Sequence, residues 1–207
     1  MSNWAVFLTA DRTSFKALNR ALLLLQDFEF SEYPQDIRWV LLSSKELPST
    51  PAKATTLPVS DTSSNAFASM SFVDINTFVR ANETALQAAE ISASDWLIID
   101  QKGLETSTCL VCEQYYKGED EEDGEEGGLT NEFRACRIPY EQAWGMISNL
   151  DIANMGFEDY VDEDAGEQED GSWKWVSFDG DASDEKSEYE TKREKALQEL
   201  RDHGYAD

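Results

Sequence analysis

The chain has 207 residues, with 42 Asp and Glu against 17 Lys and Arg, for a formal charge of −25. Hydrophobic residues make up 41% and aromatics 11%, which is enough for a sizeable core and excludes a chain disordered end to end. The acidity argues against a nucleic-acid binder, whose footprint is a basic patch, and against attachment to an anionic membrane surface. A single histidine, His203, leaves no basis for His-based triads, imidazole acid–base chemistry or His-rich metal sites.

The opening MSNWAVFLTADRTSF has no basic segment followed by an apolar one, so it does not read as a signal peptide. The longest apolar run, Ala21 to Leu25, is far short of the ~20 residues that span a bilayer. The ending HGYAD carries no lipidation or retention signal. Three cysteines do not make a secreted disulfide framework. A soluble cytoplasmic protein with free thiols is expected. Charge divides the chain: residues 1–112 carry a net −5 and residues 113–207 a net −20.

In chain order, Trp4 to Thr9 reads as a buried strand. Asp11 or Thr13 caps a helix whose stripe is Phe15, Leu18, Leu22 and Leu25, widened by Leu23, Leu24 and Phe28. Ile37 to Ser43 is a second strand. Residues 48–66, with three prolines and many Ser and Thr, read as a loop insert. Met70 to Val73 reads as a short strand, and Asp74 as the cap of a helix with Phe78, Asn82, Ala85, Leu86 and Ala89 on one face. Trp96 to Ile99 is an apolar strand. Thr108 to Tyr116 and Glu132 to Ile138 flank the acidic, Gly-rich segment 117–130 and read as a hairpin with a long loop. If Tyr116 faces Asn131, Cys112 falls opposite Ala135 or Cys136. Pro139 ends that strand and opens a helix toward Leu150. An acidic stretch, 162–170, precedes a last strand, Trp173 to Phe178. A charged helix from about Ser183 to His203 closes the chain. The expected fold is α/β (α+β): a mixed sheet with flanking helices in one domain, 1–178, then an acidic turn and C-terminal helix, 179–207.

Cys109 and Cys112 form a C-x-x-C, but in a strand residues three apart face opposite sides, so their sulfurs diverge and zinc or redox chemistry is not expected. Asp179, Asp181, Ser183 and Glu190 imitate part of a calcium loop, yet Asp184 stands where glycine is required and a strand precedes it. A solvated turn is the plainer reading. No nucleophile elbow, phosphate loop, dinucleotide fingerprint or zinc-protease motif is present. No catalytic residue, metal ligand or cofactor is therefore assigned.

The acidic blocks at 119–126 and 162–170 admit two readings: solvated, mobile loops, or an electrostatic surface for a basic partner. In the second, Glu119, Asp120, Glu121 and Glu122 are binding residues. The narrow stripe Tyr189, Ala196, Leu197 and Leu200 suits a terminal helix lightly docked on the body.

The segment FRACRIPYEQAWGMISNLDIANMGFEDYV carries a pattern running from Trp144 through Asn149, Leu150, Ile152, Ala153, Asn154, Met155, Phe157, Glu158 and Asp159 to Tyr160. It resembles the domain-of-unknown-function family numbered 6924, seen in bacterial and fungal proteins. Looser likeness runs over residues 4–176, interrupted by the inserts 48–66 and 117–130. The resemblance implies a common α/β fold and supplies no activity. Within the segment, Trp144, Ile147 and Leu150 form a helical stripe, and Ile152, Met155 and Phe157 read as core. Asn149 and Asn154 lie among them. They either brace irregular backbone or join Trp144 and Glu158 in a binding site.

Two functional expectations follow. The first is a non-enzymatic acidic protein that binds a basic protein partner, for example as an immunity- or antitoxin-like inhibitor, with no nucleic acid and no membrane involved. The second is an enzyme of undetermined reaction with its site near Asn149, Asn154 and Glu158.

Overall fold

A computed structural model describes residues 2–26, 30, 36–62, 64–118, 128–177 and 188–207. Six strands form one mixed sheet: β1 (Asn3–Leu8), β2 (Trp39–Leu42), β3 (Ile91–Ile99), β4 (Thr108–Lys117), β5 (Gly128–Pro139) and β6 (Trp173–Lys174), in the order β2-β1-β3-β4-β5-β6. β1 runs parallel to β2 and β3, β3–β4–β5 is an antiparallel meander, and β6 returns parallel to β5. The α/β expectation is met.

Helices cover both faces, which is why Trp4 to Leu8 is a continuous buried run rather than an alternating one. On one face α1 (Phe15–Leu25) and α5 (Tyr140–Asp151) pack Leu18, Leu22, Leu25, Met146 and Ile147 onto Val6, Leu97, Val111 and Cys136. On the other, α2 (Phe72–Ala81) and α3 (Glu83–Ala88) pack Ile75, Val79 and Leu86 onto Phe7, Trp96, Ile98 and Leu110. The short α4 (Gln101–Thr106) joins β3 to β4. The terminal α6 (Glu188–Asp202) docks on the outside of α1 through Leu197, Leu23 and Ala206. Among the described residues no helix is long and apolar enough to cross a membrane.

The hairpin register is as expected from sequence: Cys112 faces Ala135. Tyr116 faces Leu129 instead of Asn131, because an irregularity between Gln114 and Tyr116 shifts the ladder. Cys109 and Cys136 lie in one core layer and Cys112 in the other, all fully buried and unpaired. Burial pushes all three thiols upward, Cys136 to about 12, so none is a nucleophile at neutral pH.

Several local expectations are corrected. Met70 to Val73 is no strand: Ser71 caps α2, donating its backbone N–H to Asp74 and receiving the Asp74 N–H on its hydroxyl, so Asp74 is the reciprocal partner in a capping box. Likewise Ser14, not Asp11 or Thr13, caps α1. The apolar strand at Trp96 begins earlier, at Ile91. Its offset from β1 widens by three residues between Asn3/Ile91 and Ala5/Trp96, throwing Ser92, Ala93, Ser94 and Asp95 into a bulge. The last strand keeps only Trp173 and Lys174; Phe178 lies outside the described residues, as do Phe28 and the turn positions Asp179, Asp181 and Ser183. Ile152 is not core but 64% exposed.

The described part of segment 48–66 is an ordered strap over the β2 edge. Thr55 donates its N–H to Trp39 at 2.7 Å and accepts from the Leu41 N–H at 2.8 Å. Buried Asn19 receives the Val59 N–H at 2.7 Å and donates to the carbonyls of Val59 and Tyr205, tying strap, α1 and C-terminus together.

Candidate functional site

Two ionic centres and one acidic ridge dominate the polar chemistry, and all three hang on β5 and β6. The first centre grows from Asp100, which follows β3 and caps α4 by accepting the Gly103 N–H at 2.7 Å. Gly103 is required there, since a Cβ would collide with the carbonyl oxygen of Thr108. This tight β3–α4–β4 turn presents Asp100 and Lys102 toward β5. Arg137 on β5 grips Asp100 with two donors, Nη2 at 2.6 Å and Nη1 at 3.1 Å. Asp170 completes the centre: Oδ2 lies 2.8 Å from Lys102 Nζ and 3.8 Å from Arg137 Nε, while Oδ1 accepts from the Ser172 hydroxyl at 2.5 Å and its N–H at 3.1 Å. Partial burial raises the Asp170 carboxyl, but the Lys102 and Ser172 hydrogen bonds outweigh it and hold the group at about 2. These groups border an open cavity of about 740 Å³ whose other walls include Pro139, Trp173, Trp175 and Lys174.

The ridge is residues 162–170. Sequence left open whether this acidic stretch is a mobile loop; it is ordered. Asp162 receives Lys174 Nζ at 2.9 Å, and its N–H donates to the Lys174 carbonyl. A 3-10 turn, Glu163–Ala165, follows. Glu167 bridges to Trp173, and the Gln168 N–H reaches the Ser172 carbonyl at 2.8 Å. The segment is thus a hairpin stapled to the sheet edge at Asp162 and Asp170. Between the staples, Glu163, Asp164, Glu167 and Glu169 are exposed, and no cation pairs with them among the described residues.

The second centre is built on Arg134, on the opposite face of β5. Its guanidinium pairs with Glu113 at 2.7 Å and with Glu158, and stacks 4.5 Å from the Phe157 ring and 5.1 Å from Tyr115. Burial raises the Glu113 carboxyl despite this pairing; for Glu158 the Arg134 hydrogen bond outweighs burial and lowers it. Near this centre, in the β3 bulge, Asp95 is 3% exposed and accepts from Ser94 Oγ at 2.6 Å and Ser92 Oγ at 3.3 Å. Burial pushes it up to about 6, with Glu113 adding to the effect.

The sequence-chosen residues separate into different places. Trp144 is half-buried against the core of α1 and α5. Asn149 donates to the Gly145 carbonyl at 2.7 Å, and Asn154 donates to Asn149 Oδ1 at 2.7 Å while its N–H reaches the Asn149 carbonyl at 2.9 Å. The pair braces the turn after α5, where Ala153 takes φ +51. Asn154 is exposed, so it is not the buried amide the sequence suggested. Glu158 belongs to the Arg134 centre. Glu119, Asp120, Glu121 and Glu122 lie outside the described residues.

The family model described as Domain of unknown function (DUF6924) matches residues 49–174, more than half of the chain. The chain belongs to this family. The match holds both ionic centres and the ridge, and leaves out β1, α1, β2 and α6. It also takes in 117–130 and all but the first residue of 48–66, the two stretches that sequence reading treated as inserts. No curated protein and no solved structure matches the chain.

Sequence reasoning missed Arg137, Asp100, Lys102 and Asp170. One signal was present: EFRACRI sets two arginines in an apolar strand, and a buried guanidinium demands carboxylate partners.

Proposed function

We propose that this protein is a non-enzymatic binder of a basic protein, docking through its acidic ridge. The observation that carries this reading is the stapled hairpin 162–170. It holds Glu163, Asp164, Glu167 and Glu169 in an ordered, solvent-facing array with no compensating cation among the described residues. A fixed array of one sign presents a stronger and more directional field than a mobile chain, and such fields act on encounter rate and partner choice. An inhibitor of the immunity or antitoxin kind, masking the basic surface of its target, is the concrete form this takes. Buried free thiols suit a reducing cytoplasm. The enzyme reading is less well supported, because Asn149 and Asn154 are spent on each other and on Gly145, and Glu158 on Arg134.

The test is affinity capture at low and at physiological salt, as the Debye length shrinks from ~30 Å to ~8 Å. The retained partner is expected to be basic, to be lost as salt rises, and to be lost at low salt from a variant with Glu163, Asp164, Glu167 and Glu169 reversed to Lys. An acidic partner, or capture indifferent to salt and to the reversal, overturns the proposal.

A further inference from the structure

The cavity beside the ridge sets basic side chains against the ridge's own Glu169 and Asp170. Three of the chain's 17 basic side chains, Lys102, Arg137 and Lys174, line it in a protein of net charge −25. We propose that this cavity binds a small carboxylate-bearing molecule with an apolar or aromatic body, and that Asp170 is the internal carboxylate that occupies the site until the ligand displaces it.

The geometry points to an exchangeable occupant. Asp170 commits Oδ1 to Ser172 and offers only Oδ2 to two cations, reaching Lys102 at 2.8 Å but standing 3.8 Å from Arg137 Nε. Arg137 Nε is buried and makes no hydrogen bond, while both Nη atoms are used on Asp100 and Thr108. A buried, charged donor left unmade costs free energy that a better-placed acceptor recovers. A free carboxylate can give one oxygen to Lys102 and the other to Arg137 Nε, which the tethered Asp170 does not. Trp173, Trp175 and Pro139 line the cavity beside those donors, so a carboxylate carrying an apolar body is favoured over a bare anion. Asp170 is itself exposed, and its segment lies between two glycines, Gly166 at φ +63 and Gly171 at φ +78, which have wide backbone freedom. Displacing Asp170 undoes one of the ridge's two staples, so the titration uses no basic partner and its outcome is read separately from the basic-partner reading.

The experiment titrates the native chain, Asp170→Ala and Asp170→Ala/Lys102→Met with phenylacetate, acetate and inorganic phosphate, read by heat of binding and tryptophan fluorescence. Removing the internal competitor is expected to tighten phenylacetate binding about tenfold, with acetate weaker and phosphate weaker still, and Lys102→Met is expected to erase the gain. Asp170→Asn, which keeps an acceptor for Ser172, replaces Asp170→Ala if the latter does not fold. The proposal fails if neither Asp170 variant binds a carboxylate, if the gain survives Lys102→Met, or if phosphate binds in preference to both carboxylates.

Discussion

Arg134 and Arg137 stand three residues apart on β5 and so point to opposite faces of the sheet. Both are largely buried, with side chains 19% and 11% exposed, and each is shared between a sheet-bound carboxylate and one brought by the chain after α5. The Arg134 centre is the closed one in that aromatic rings lie against it: the guanidinium is 4.5 Å from the Phe157 ring and 5.1 Å from Tyr115, and Glu158 arrives on a 3-10 turn, Phe157–Tyr160, anchored in the core by Phe157 and Tyr160. The Arg137 centre is open: it borders a cavity, and its second carboxylate arrives on a surface hairpin. The same residue type with the same kind of partners is a clamp where aromatic rings lie against the guanidinium, and a candidate site where the wall is a hairpin held by two salt bridges.

The largest expected effect is on the closed side. Arg134→Ala removes the only cation paired with Glu113 among the described residues and strips the stacking on Phe157, which should cost about 3 kcal/mol in denaturant unfolding. A loss under ~1 kcal/mol would mean the centre is not a clamp. On the open side, Gly103→Ala should cost about 2 kcal/mol by forcing a Cβ onto the Thr108 carbonyl. Because α4 carries Lys102 and follows Asp100, that substitution should also disturb the Arg137 cavity while leaving the amide signals of Arg134 and Phe157 unchanged, which chemical-shift mapping checks.

Asp95 supplies a pH test. Its folded value of about 6 lies above the ordinary ~3.9 of an unfolded Asp, so between those values the folded chain holds a proton that the unfolded chain releases. Stability from this group is therefore fully present below pH ~4 and falls as pH rises through ~6, by about 3 kcal/mol. Asp95→Asn should flatten that fall, and parallel pH profiles of native and variant would contradict it. The smallest effect belongs to Asn154→Ala. With the amide exposed and paired only to Asn149 and the local backbone, its loss should cost under about 1 kcal/mol and leave binding intact.

What sequence reveals and what it hides differ in kind between these regions. The β4–β5 hairpin, the face of each cysteine and the α5 helix were legible because period-two and period-3.6 patterns are local. The Met70 strand failed because Ser71 and Asp74 form a capping box that outweighs a short apolar run. Strand β6 shrank because Trp173 and Trp175 serve a hairpin with residues 161–167 as much as the sheet. α4 was missed because six largely polar residues around a glycine carry no periodic signal. The Arg137 centre was hidden for a different reason: Asp100 and Asp170 reach it from 37 and 33 positions away along the chain, a meeting that only topology specifies.

The most direct test of the ridge is the association rate of the captured basic partner, measured across ionic strength for the native chain and for Glu163→Gln/Asp164→Asn/Glu167→Gln/Glu169→Gln. Steering by an ordered acidic array predicts that neutralisation slows association about tenfold at low salt, leaves dissociation nearly unchanged, and makes the rate almost independent of salt. Equal association rates for the two proteins, or a difference confined to dissociation, would contradict it.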